Sequence, residues 1–261
     1  MILDLKQAEC GYGNKAIIGP VSFSMTEGDI VCLLGPNGVG KTTLFKTILG
    51  FLPPVSGEVL LNNKPRSSYS RKQFAQLVSF VPQLAQTPFD YTIFDVVLTG
   101  CMSHLGLFQT PGHADYERAQ EMIEELGIAH LAEKKFNEAS GGERQMSLIA
   151  RALMQDADLI IMDEPTAALD FGNQVQVLNC IKRMAAQNSK GIFMTTHNPD
   201  HAFLVCTRAI LALPQREIIA GDVSDVMTEE NLAKAYRIPV RITEARANDN
   251  SSIKTCVPLL Q

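Results

Sequence analysis

Three short stretches of the 261-residue chain hold side chains whose types and spacing suit phosphate chemistry. The first, GPNGVGKTT at 35–43, fits the pattern G-x-x-x-x-G-K-[ST]. Gly38 and Gly40 let the backbone curl so that successive N–H groups point inward, and a Cβ at either place would hold phosphate oxygens away. Gly35 and Asn37 belong to the same turn, Lys41 brings a mobile ammonium to the β- and γ-phosphates, and the Thr42 hydroxyl is set to ligate Mg2+, with Thr43 following it into a helix. The second stretch, LIIMDEP at 159–165, is four apolar residues ending in two acids. Asp163 is placed to hold a Mg2+ shell, and Glu164 to polarise a water for in-line attack on the γ-phosphate. Taken alone, the same residues also describe a buried strand ending in solvated acids. The third, ASGGERQ at 139–145, puts Ser140, Gly141 and Gly142 directly before an apolar helix, a second anion site of the helix-N-terminus kind, with Glu143 as an acid in the first turn. Alone it also reads as a plainly capped helix. One nucleotide needs a single phosphate cradle, and this chain carries two.

The elements that must position these residues follow from periodicity. A run at 30–34 that is apolar on both faces predicts a strand buried within a sheet, feeding the glycine loop and a helix over 42–49. Strands are expected at 57–61 and 77–81, with a polar loop at 62–70. From about 90 to 156 the pattern turns helical: one helix ends at Thr99–Gly100, and another over 114–126 carries Ala119, Met122, Ile123 and Leu126 on one stripe. Alternation of strand and helix resumes at 159–162, 173–187, 191–196, 199–205 and 207–213. The order predicts an α/β fold, a mostly parallel sheet core interrupted by a helical insertion. Beyond about Ala245 the chain turns polar, and a loosely ordered end is expected.

Composition excludes several classes. The formal net charge of −5, with no basic block, argues against nucleic acid as a partner, because phosphate neutralisation dominates that affinity. No apolar run approaches the ~18–20 residues of a membrane helix, and the N-terminus lacks the order of a secretion signal. Six cysteines, never spaced as CxxC, predict reduced thiols in a cytosolic protein.

With these motifs in place, residues 1–240 resemble the ATP-binding subunit of ABC transporters. GPNGVGKTT is similar to that family's Walker A motif, Gln83 in FVPQ to its Q-loop, SGGERQ to its signature, LIIMDEP to its Walker B, AALD at 167–170 to its D-loop, and His197 in TTHNP to its switch histidine. Tyr12 stands where the family has an aromatic stacked on adenine. Ser140 and Asp163 lie 23 residues apart, enough for one helix and a turn. The resemblance implies a P-loop NTPase of ABC type with an N-terminal antiparallel β region and ATP and Mg2+ as cofactors. In that family two copies pack head-to-tail, so ATP on Lys41 of one meets Ser140–Gly142 of the other, and Asp170 shapes the dimer interface. Gln83 would contact Mg2+ and the attacking water, and His197 the γ-phosphate. One departure is Ala139, where the family usually has leucine, and it predicts looser packing under the signature helix.

The resemblance also implies partners: integral membrane permease subunits docking near Gln83 and the apolar stretch 91–108, with a substrate-binding protein acting through them. That places the chain on the cytoplasmic face of the membrane. The stretch from Ile93 to the signature, together with TEENLAKAYRIPVRI at 228–242, is similar to importer ATPases for iron-siderophore, haem, cobalamin and related metal chelates or oxyanions. An exporter or other-class importer ATPase and a soluble ABC-type ATPase are the alternative readings. Members of the last group carry paired cassettes, coiled-coil insertions or basic extensions, none of which is present in this sequence.

Overall fold

The computed structural model describes residues 1–83, 87–106, 108–167, 169–246 and 252–259. At its centre β3 (Ile30–Leu34), β6 (Val78–Val81), β7 (Leu159–Met162), β8 (Gly191–Thr195), β9 (Arg208–Ala212) and β10 (Ile218–Asp222) form one sheet in the order β10-β9-β3-β8-β7-β6. Every pairing is parallel except the β9–β10 edge. Both faces are covered, so alternate residues of one strand enter different cores. Val31, Leu33, Ile161 and Phe193 pack under the N-terminal layer, while Cys32, Leu34, Ile160 and Met194 face the helical side. That two-sided burial is why these strands read as unbroken apolar runs.

The N-terminal layer is the antiparallel sheet β2-β1-β4-β5, built from β1 (Leu3–Tyr12), β2 (Lys15–Met25), β4 (Pro54–Leu61) and β5 (Lys64–Pro65), with α1 (Lys41–Ile48) between it and the centre. The helical side carries α2 (Arg71–Leu77), α3 (Ile93–Leu98), α4 (His113–Glu125) and α5 (Gly141–Met154), followed by α6 (Phe171–Asn188) and α7 (Pro199–Val205). α5 anchors the insertion to the sheet. Arg151 donates to the Phe80 carbonyl at 3.0 Å, and the Gln155 amide to the Val78 carbonyl at 3.0 Å. The chain ends with α8 (Val223–Val226), α9 (Glu229–Tyr236), β11 (Val240–Arg246) and β12 (Ser252–Pro258).

Three expectations are corrected. The loop expected at 62–70 holds the short strand β5 and a 3₁₀ turn at Arg66–Ser68 and leads into α2, a short helix whose apolar face is only the half-buried Phe74 and Leu77, with a complete capping box between Ser70 and Gln73. In the stretch 91–100, Ile93, Val96, Val97 and Leu98 are core; the exposed apolar groups are Phe89, Tyr91, Met102 and Phe108. Leu107, also expected in that surface, lies outside the described residues. The polar end, expected to be loosely ordered, contains β12 paired antiparallel with β11 from Val240–Pro258 to Arg246–Ser252.

Candidate functional site

β3 ends at the glycine loop, and the loop ends at α1. Gly38 has φ +81° and Gly40 φ +109°, backbone that L side chains seldom adopt. A Cβ on Gly38 would meet open space, so backbone conformation alone requires glycine there. On Gly40 it would lie 2.8 Å from the Ile18 Cβ of β2, so this glycine also lets the loop pack on the N-terminal sheet. Lys41 is buried, and its ammonium donates to the carbonyls of Gly35 at 2.7 Å and Pro36 at 3.1 Å. Burial lowers its pKa, and the carboxylates of Glu164 and Asp163 act against that shift. Asn37 and Thr42 are exposed; Thr43 is buried in the first turn of α1.

Asp163 and Glu164 follow β7 at the carboxyl edge of the sheet, where open α/β folds collect ligands. The Thr195 hydroxyl ties both down. It donates to Asp163 Oδ1 at 2.7 Å and accepts the Glu164 N–H at 2.8 Å. Glu164 has φ +45°, in the left-handed region that costs a residue with a Cβ about 1–2 kcal/mol. The turn presents its carboxylate to two groups from other loops. The Gln83 amide donates to Glu164 Oε2 at 3.0 Å, and His197 Nδ1 lies 3.3 Å from the same oxygen. Lys41, Gln83, Asp163, Glu164 and His197 therefore share one edge of the sheet.

Ser140–Glu143 do not join them. Among the described residues no hydrogen bond or ion pair links this segment to that group. Ser140 caps α5: its hydroxyl accepts the Glu143 N–H at 3.3 Å, and Glu143 accepts the Ser140 N–H at 2.7 Å. Lys134, 2.7 Å from the Glu143 carboxylate, is the main cause holding that carboxyl below its usual range, with the Ser140 N–H second. Gly141 is exposed, and a Cβ on Gly142 would lie 2.7 Å from the Asn173 side chain, so glycine lets α5 and α6 approach. Asp170 caps α6 through the Asn173 N–H at 2.8 Å; Ala168, in the same expected loop, lies outside the described residues. Tyr12, 53% exposed, ends β1 opposite Lys15. Sequence reasoning missed Thr195. Its only signal was a hydroxyl residue closing an apolar strand two places before a histidine.

The arrangement has known counterparts. The sequence pattern of the ABC transporter family matches residues 18–167. An ABC transporter ATP-binding protein of Haemophilus influenzae is 39% identical over 250 residues, covering 96% of this chain and 95% of that protein. The molybdate import ATP-binding protein MolC of the same organism is 33% identical, covering 88% and 85%. A solved metal-chelate type ABC transporter in an inward-facing conformation superposes with a TM-score of 0.88 at 31% identity, covering 100% of this chain and 98% of that one. A lysine in a glycine loop, an acid pair at a strand edge and a serine-capped helix thus lie on a fold shared over its whole length, and the chain belongs to the ABC transporter family as an ATP-binding, ATP-hydrolysing subunit.

Proposed function

We propose that the chain energises a membrane importer whose cargo is a metal chelate or related oxyanion. The relatives that carry such cargo in their names support this reading. The observation that carries the hydrolytic half is the Glu164 carboxylate, held between Gln83 and His197 beside Lys41.

In this reading Lys41 exchanges the carbonyls of Gly35 and Pro36 for phosphate oxygens, and the backbone around Gly38 and Gly40 lines the phosphate path. Glu164 takes the proton of the attacking water, a general-base role worth about 10²–10⁴-fold. His197 and Gln83 fix the carboxylate's direction, and Tyr12 offers an exposed ring to adenine. Bound Mg2+ would neutralise charge on the phosphates. The Thr42 hydroxyl, the Gln83 amide and the Asp163 carboxylate are the oxygen donors that suit it, and the single carboxylate fits an ion held mainly by phosphate and water. Ser140, Gly141, Gly142 and Glu143 of a second copy, packed head-to-tail, complete the site across the interface. This explains why the second cradle stands apart from the first within one chain.

Among the described residues no helix is long and apolar enough to cross a membrane. In the proposed assembly, permease subunits hold the chain at the cytoplasmic face and a substrate-binding protein delivers cargo to them. Their docking surface is the exposed apolar group after Gln83: Phe89, Tyr91, Met102 and Phe108, with Phe108 95% exposed. Glu164→Gln tests the core of the proposal. It should keep ATP binding, nearly abolish turnover and give an ATP-stabilised dimer on size exclusion; wild-type turnover would remove Glu164 from the base role.

A further inference from the structure

The loop carrying His197 runs directly into α7, and two consecutive residues of that helix make contacts that the proposed reaction does not use. His201 is 5% exposed. Its Nδ1 lies 3.0 Å from the Thr196 hydroxyl and 3.3 Å from the hydroxyl of Thr166, two residues beyond Glu164. Its Nε2 lies 3.3 Å from the Asn198 side-chain nitrogen. That amide cannot simply be reversed, because its oxygen already accepts the Asp200 N–H at 3.0 Å. The nitrogen therefore donates to Nε2, and Nδ1 carries the ring's proton toward the threonine hydroxyls. A second proton would set Nε2–H against an NH2 group in a buried site, so the ring is held neutral.

Asp200 points the other way. Its carboxylate accepts the Cys256 N–H at 2.7 Å and the Thr255 hydroxyl at 3.1 Å, both from β12. From α9, the Tyr236 hydroxyl donates to the His197 carbonyl at 3.5 Å, and burial pushes its pKa up to about 12.

We propose that His201 is a positioning residue for ATP hydrolysis: its neutral ring locks the turn behind Glu164 to the loop that carries His197, while the C-terminal hairpin braces α7 through Asp200. The His197 side chain is 62% exposed, so little packs around the ring and its place is inherited from its backbone. That backbone lies between Thr196 and Asn198, both hydrogen-bonded to His201. Among the described residues, the hydrogen bonds tying the two loops together behind the Glu164–His197 contact run through Thr195 and His201. Small displacements of a catalytic group are costly in rate, and losing one of two ties permits them.

The inference rests on the reading that Glu164 and His197 act on ATP, and the test separates the two. Full-length His201→Ala, His201→Gln and Asp200→Ala are compared with wild type and Glu164→Gln for kcat, KM, fluorescent ATP-analogue affinity and thermal unfolding. His201→Ala should lower kcat on the order of tenfold or more with nucleotide affinity unchanged. His201→Gln, which presents an amide donor and acceptor in place of the ring nitrogens, should recover most of it, and Asp200→Ala should lower kcat less than His201→Ala. Wild-type kcat in His201→Ala, beside an inactive Glu164→Gln, overturns this inference alone; wild-type kcat in Glu164→Gln overturns the underlying reading. Should His201→Ala not fold, Thr166→Val, which cuts the bridge at near-constant volume, must lower kcat, and an unchanged value overturns the inference.

Discussion

Glu164 pairs a strained backbone with a directed side chain, and the strain persists because neighbours hold it. Thr195→Val should therefore affect two groups at once. It leaves the Glu164 N–H without its acceptor and Asp163 without its donor, for about 1–3 kcal/mol of stability, read as a lower unfolding midpoint, with turnover falling as well. His201 gives a prediction with a definite sign. Burial first, then the neighbouring His197, lowers its pKa from 6.5, and Asp200 works in the other direction. The unfolded chain thus takes up its proton at higher pH than the folded one, so this group's contribution is intact above about 6.5 and is lost as pH falls below it. Melting at pH 7.5 and 5.5 should show a smaller acid loss for His201→Gln than for wild type. For Lys41→Ala, loss of a cation's hydrogen bonds to phosphate removes about 1.5–3 kcal/mol, a roughly 10- to 100-fold weaker ATP affinity by titration. At this scale the glycine loop, the acid pair and the capped serine were legible because each is a local pattern. Thr195, Asp200 and His201 were not, since the partners that give them a role (Asp163 and Glu164, Thr255 and Cys256, and Thr166) lie more than thirty residues away or in an element the sequence left unassigned.

At the scale of elements, legibility followed burial. β3, β7, β8 and β9 are covered on both faces, and α5 carries a broad buried face, so their apolar runs announced them. α2 is short and fully buries no residue, with only Phe74 and Leu77 half-buried on the core, β10 is only partly buried, and the residues of β12 are exposed or half-buried, so none left a long apolar pattern. The same reasoning moved Ile93, Val96, Val97 and Leu98 from surface to core, because α3 turns its apolar side toward α5 and leaves Phe89, Tyr91, Met102 and Phe108 outside. α5 also links two motifs. Its N-terminus is the signature, and its last turns hold Phe80 and Val78 of the strand leading to Gln83. Ser140→Ala should cost about 1 kcal/mol through the lost cap, measurable by chemical denaturation. Any further loss of turnover in that variant belongs to the proposed contact with a second copy. Ala139 is buried ahead of that cap and fills less volume than leucine.

For the whole molecule, the decisive feature is separation. The acid pair and Lys41 sit together on the sheet edge, while the serine-capped helix stands in the inserted helices with its own ion pair between Lys134 and Glu143. In the proposed assembly each chain supplies halves of two different sites, which join only between copies. Mixing two inactive variants tests this most directly. Lys41→Ala, with its roughly 10- to 100-fold weaker ATP affinity, should not turn ATP over, and Ser140→Arg should bind ATP without hydrolysing it. Combined, they form heterodimers with one intact site, built from the lysine of one chain and the serine of the other. The account predicts that phosphate release returns on mixing. A mixture as inactive as its parts, or a Ser140→Arg protein that hydrolyses ATP alone at the wild-type rate, would contradict it.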